Sequence, residues 1–265
     1  MSSGERLSAA LRGVSDHGLP ALIPYVTAGF PRRDDTAPVL RAAQEAGCAA
    51  AEIGIPFSDP LADGPTVQRA GWQALRNGMT THLAVEQAAA ARGAGVTIPL
   101  VFMTYLNPVL SHGLDRFCAD AAAAGVDGII VPDLPADEAG EVRPAAERHG
   151  LALIPLVAPT TPDERLARVC ESASGFIYCV SVLGTTGARR ELAAEAFELL
   201  DRVRAATPLP RALGFGLSRP EHLAALRGRC EAAVVGSALL EAMSETPGDG
   251  ATAATAFLRG MRRSA

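Results

Sequence analysis

Lysine is missing from this chain: all 24 basic residues are arginine. That absence excludes the chemistries that need a lysine amine at the reacting centre, namely a Schiff-base aldolase, a pyridoxal-phosphate enzyme and a lysine-bearing phosphate loop. Cysteine is sparse. Cys48, Cys118, Cys170, Cys179 and Cys230 are odd in number and free of CxxC spacing, so they read as small buried hydrophobes rather than a disulfide or metal framework. His17, His82, His112, His149 and His222 show no ligand spacing and read as surface side chains, which leaves no metal site. No serine sits in an elbow motif and no GxGxxG follows the first apolar run. No run approaches the roughly eighteen apolar residues of a spanning helix, and residues 1–18 lack the apolar core of a signal peptide. A cytoplasmic protein with no membrane role is expected. The net charge of -5, the pI near 5.6 and the lack of a basic cluster argue against nucleic acid as a partner.

What is present is periodic. Eight short β-rich apolar runs occupy residues 21–26, 49–55, 98–103, 127–132, 151–157, 175–181, 211–216 and 231–237. Between them lie segments with helical spacing, such as 35–47, 113–125, 136–149, 162–173, 188–205 and 218–228. Strands apolar on both faces and separated by helices belong to a parallel sheet, and eight of them in 265 residues is the size of a closed barrel. The expected fold is α/β, a (β/α)8 TIM barrel in one domain over residues 1–265, with extra helices at 1–13, 66–76 and 250–263. An open doubly wound sheet is the alternative.

The stretch AEIGIPFSDPLADGP, residues 51–65, puts Glu52 inside an apolar run and Asp59 and Asp63 in the loop that follows. A buried carboxylate is costly unless it is paired or used. Barrels of this type work at the C-terminal ends of their strands. The polar residues there are Glu52, Asp63, Tyr105, Asn107, Asp133, Thr160, Tyr178 and Ser181. The last three turns, GTTG (184–187), GFGLS (214–218) and GSA (236–238), place Thr186, Gly187, Gly216, Gly236 and Ser237 at the mouth. Backbone N–H groups at the helix starts that follow would hold a phosphate without lysine. Arg189, Arg190 and Arg219 read as solvated helix residues. The pattern therefore points to carboxylate and phenol chemistry on a phosphorylated substrate, with no cofactor and no metal.

EIGIPFSDPLADGP closely resembles the signature of the tryptophan synthase alpha subunit family. The similarity extends through PYVTAGFP, VPDLP, FIYCVSVLGTTGAR, GFGLS and VVGSA. It implies retro-aldol cleavage of indole-3-glycerol phosphate to indole and D-glyceraldehyde 3-phosphate. By the same resemblance Glu52 is the catalytic glutamate; its place at the apolar floor of the barrel mouth should raise its pKa and let it shuttle protons. The resemblance also has Asp63 face the indole N–H and Tyr178 line the pocket; Asp63, on a looser loop, should stay ionised, and Tyr105, at its strand end, is a further candidate for the pocket. Loops 56–65 and 184–192 are candidate lids. The resemblance also implies a tryptophan synthase beta subunit as partner in an alpha2beta2 assembly, with Pro56, Asp59, Asn107 and Pro108 at the interface. Thr185, Tyr25 and Phe30 differ from residues common at their positions. A free-standing lyase that releases indole is the nearest alternative, and a non-catalytic phosphate-binding barrel is a more distant one.

Overall fold

A computed structural model describes residues 1–13, 18–180, 194–214, 216–246 and 248–263. Among them nine strands form: β1 Ala21–Thr27, β2 Ala51–Gly54, β3 Leu100–Met103, β4 Gly128–Ile130, β5 Ala152–Leu153, β6 Leu156–Val157, β7 Ile177–Val180, β8 Arg211–Gly214 and β9 Ala232–Val235. All pair in parallel, in the order β5-β4-β3-β2-β1-β9-β8-β7-β6. The two ends of that order are joined by the chain itself, because only Ile154 and Pro155 separate β5 from β6. The sheet is an alpha/beta barrel.

The fifth apolar run is thus two strands where the sequence suggests one, and Pro155 is the reason. Proline has no N–H to continue a ladder. Ile154 N–H still donates to Ile129 O on the β4 side (3.0 Å), whereas Pro155 O accepts Tyr178 N–H from β7 (3.1 Å). The run changes partner at the proline, and that change closes the ring.

The strands are buried almost throughout, because side chains fill the barrel on one face and helices cover the other. Gly250–Arg263 packs between Pro220–Ala225 and Thr36–Glu45, which makes it the eighth outer helix rather than an addition. Thr81–Gly93 is the outer helix between β2 and β3. Its run of alanines blurs the contrast between its faces, but its start is marked by Thr80, whose hydroxyl accepts Leu83 N–H at 3.2 Å. The true additions are Ser3–Gly13, Pro65–Arg76, Leu106–His112 and Ser237–Ser244.

Ser3–Gly13 closes the base. Leu7 and Leu11 are fully buried, and Leu7 packs beside Gly128 and Gly175, just ahead of or at the starts of β4 and β7. Arg6 from this helix meets Asp127 at 3.0 Å, and Arg92 meets the other oxygen of the same carboxylate at 3.0 Å. Leu100 N–H completes the set at 2.9 Å. The base of the barrel is therefore fixed by a fully partnered acid.

Candidate active site

Along β1 and β2 the register pairs Tyr25 with Glu52 and Thr27 with Gly54. Side chains two residues apart on a strand share a face, so all four positions look into the barrel. Gly54 is required there: a Cβ at this position would collide with the Tyr25 hydroxyl. Gly214 plays the same part for Tyr178 across β7 and β8, where a Cβ would strike that phenol. Two glycines thus let two tyrosines lean across neighbouring strands.

Glu52 is fully buried, and neither carboxyl oxygen has a hydrogen-bond partner among the described residues. Loss of water disfavours its charged form and pushes its pKa up to about 8. At neutral pH it is a protonated acid held in an apolar interior. Asp63 is half-buried; burial pushes its pKa up to about 6, while a hydrogen bond from Tyr105 pulls it back. It remains mainly ionised at pH 7. The two carboxyls therefore hold opposite protonation states at one pH, which is the arrangement of an acid beside an electrostatic stabiliser.

A cleft open to solvent lies over this end of the barrel. Its walls include Asp63, Tyr178, Gly216, Gly236 and Ser237, five of the residues expected from sequence. Gly236 caps Ser237–Ser244 without a side-chain cap, so among the described residues the first N–H groups of that helix have no partner and stand at the wall where an anion would need them. Glu52 is not on the wall but lies beneath it.

Tyr105 reaches Asp63 rather than the cleft directly. It is buried and stays off the cleft wall; its hydroxyl accepts Ala62 N–H at 3.0 Å and donates to Asp63, and its ring packs on Phe57 at 5.5 Å. It thereby holds the Asp63 loop in place. Asp133 accepts Leu106 N–H at 2.9 Å and so caps Leu106–His112. His222, expected at the surface, is 3 % exposed, and its Nδ1 accepts Ser218 N–H at 3.2 Å. Thr186 and Gly187, with Ser181 and loop 184–192, lie outside the described residues.

The cleft also contains residues that sequence reasoning missed. Tyr25 stands on its wall, as do Met103, Ser218, Thr66 and Glu241. Thr66 donates to Glu241 at 2.8 Å and ties the segment after Asp63 to the helix after Gly236. Tyr25 was recoverable from its inward phase on β1, whereas Thr66 and Glu241 had no signal because helix packing alone decides which way they face.

Residues 12–263 match the family described as tryptophan synthase alpha chain. A tryptophan synthase alpha chain from Chloroflexus aggregans is 46% identical over 255 residues, covering 96% of each protein. Among solved structures, a Legionella pneumophila tryptophan synthase alpha chain superposes with TM-score 0.88 at 32% identity, covering 100% of this chain and 97% of that one. A chain from work on the tryptophan synthase a2b2 complex of Pyrococcus furiosus gives TM-score 0.86 at 40% identity, covering 91% and 97%. A catalytic-looking acid under a barrel cleft, with a helix start bared at its wall, thus occurs in a chain that belongs to the tryptophan synthase alpha chain family.

Proposed function

We propose that this chain, as one barrel domain, cleaves indole-3-glycerol phosphate to indole and D-glyceraldehyde 3-phosphate. The observation that carries the mechanism is Glu52, fully buried with neither carboxyl oxygen partnered among the described residues, beneath a cleft whose wall carries Asp63. Protonated Glu52 delivers its proton to indole C3, which leaves a cationic ring. Asp63 accepts the indole N–H and stabilises that charge where it develops. The Glu52 carboxylate then takes the proton from the glycerol hydroxyl next to the C3–carbon bond. The bond breaks, its electrons return to the ring, and the hydroxyl carbon becomes the aldehyde. Glu52 ends protonated, so the cycle balances without a cofactor. Each transfer by a positioned acid or base contributes roughly 10²–10⁴ in rate.

The phosphate belongs at the Gly216, Gly236 and Ser237 end, where free backbone N–H groups substitute for lysine. Tyr178 and Met103 provide the apolar wall for indole. As the partner we infer a tryptophan synthase beta subunit in an alpha2beta2 assembly. Leu61 is 93 % exposed and Leu110 51 % exposed, on the two segments that also carry Asp59 and Asn107, and exposed apolar side chains on those segments suit a docking face. Pro108 is buried and contributes from beneath. Among the described residues no helix is long and apolar enough to cross a membrane. A cytoplasmic place of work follows from the reaction proposed.

The test is indole release from indole-3-glycerol phosphate by wild type and Glu52→Gln, with and without beta subunit. Slow turnover that rises sharply with beta subunit, and is lost in the variant, is expected. Fast turnover alone would favour a free-standing lyase, and unchanged turnover in Glu52→Gln would overturn the mechanism.

A further inference from the structure

Besides Glu52, one other side chain on the inner face of these strands is buried without a hydrogen bond among the described residues: Thr27, 2 % exposed, whose Oγ1 has no partner. The register places it. Thr27 pairs with Gly54 and Tyr25 with Glu52, so the two orphans sit on the diagonal of one four-residue patch. Gly54 leaves the corner between them without a side chain, and the Tyr25 phenol leans into that space. The Thr27 hydroxyl lies beside this phenol and, acting as a weak hydrogen-bond donor, draws the phenol's pKa back down, although no hydrogen bond of full geometry joins the two. A hydroxyl kept this deep without a partner is costly, and so is a carboxyl. Both costs vanish in any state where the two meet.

The proposed reaction contains such a state. Once per turnover Glu52 has given its proton away and is an anion at full burial, the form that its surroundings disfavour most. An anion there needs O–H donors, and β1 offers two, one residue pair further along the strand. We propose that Thr27 and Tyr25 are positioning residues that donate hydrogen bonds to the Glu52 carboxylate after it releases its proton, once its side chain has turned towards Gly54. This rests on the lyase reading of the site.

The surroundings fit. The titratable groups facing the patch are Tyr25 from β1, Asp63 after β2, Tyr105 after β3 and Tyr178 from β7, while β3 itself faces Glu52 with Val101. Burial holds both inner phenols well above their ordinary range, so each keeps its proton and remains a donor. Asp63 brings negative charge to the same end, which makes donors to a second carboxylate more necessary.

Thr27→Val keeps the shape and removes the donor, and Thr27→Ser restores it. The holoenzyme with beta subunit is assayed across pH, and the Glu52 carboxyl is titrated separately by infrared difference against Glu52→Gln. A lost donor destabilises the anion, so in Thr27→Val the carboxyl midpoint and the alkaline limb of kcat/KM move up together by about one pH unit. We expect kcat to fall about tenfold with KM within about twofold, and Thr27→Ser to recover both. Tyr25→Phe moves the midpoint in the same direction and serves if Thr27→Val folds poorly. A midpoint and pH profile unchanged in both Thr27→Val and Tyr25→Phe would overturn the proposal, as would a loss of kcat that Thr27→Ser fails to recover. If wild type with beta subunit releases no indole, the lyase reading falls instead, while the infrared midpoint still reports on the hydroxyl pair.

Discussion

Asp127 and Glu52 are both buried carboxyl groups in one barrel, yet their surroundings have nothing in common. Asp127, 2 % exposed at the base, is met by Arg6, Arg92 and the Leu100 N–H. Glu52, fully buried under the cleft, has no hydrogen-bond partner among the described residues. The partnered acid ties Ser3–Gly13 and Thr81–Gly93 to the start of β4, and its charge is spent on the fold. The unpartnered acid contributes no bond, and its proton is available for chemistry. Stability sits at the N-terminal ends of the strands and reactivity at the other, as expected of barrels that build their sites at the C-terminal face.

Substitutions that neutralise each acid should separate these roles. Glu52→Gln is expected to lower kcat by about 10²–10⁴ while the melting temperature does not fall, as read by indole release and thermal unfolding. Asp127→Asn reverses the pattern. It leaves Arg6 and Arg92 without their counter-charge and should cost about 3 kcal/mol in denaturant unfolding, at the low end for a broken buried pair because Arg6 stays in contact with water; KM and kcat of the folded fraction should hold. Asp63→Asn removes charge stabilisation and should lower kcat about a hundredfold with little change in stability.

A smaller effect tests the fit between strands. Gly54→Ala forces its methyl into the Tyr25 hydroxyl and should cost about 1–3 kcal/mol by overpacking, part of it recovered in the double variant with Tyr25→Phe. The last is a slope rather than a loss of contact. The folded-state pKa of Glu52, about 8, lies above its ordinary 4.5, so between those values the folded protein holds a proton that the unfolded chain has lost. Stability therefore falls as pH rises from about 4.5 to 8 for wild type, and that component of the slope is absent in Glu52→Gln.

Much of this contrast can be read from the sequence. Runs apolar on both faces mark buried parallel strands, and a glutamate inside one of them marks a carboxyl group buried with the strand. The break at Pro155 was visible as a residue but not as a change of partner, because an apolar run does not say which neighbour it pairs with. Tyr105 was placed by its position at a strand end, yet only the path of the 56–65 loop decides that its hydroxyl serves Ala62 and Asp63. Gly216, Gly236 and Ser237 were legible because glycine turns after late strands have one common use in barrels. Glu241 and Thr66 were not, since they come from inserted helices whose orientation is set by packing between elements far apart in sequence. The Arg6, Arg92 and Asp127 cluster was hidden for the same reason.

The central claim is that burial alone keeps Glu52 protonated and ready to donate. Its most direct test is a pH titration of the Glu52 carboxyl carbon by NMR in selectively labelled protein, with Glu52→Gln to assign the signal. A midpoint far above the ordinary 4.5, near about 8, is the expected result. A midpoint near 4.5 would mean that the carboxyl is ionised at neutral pH and would contradict the account.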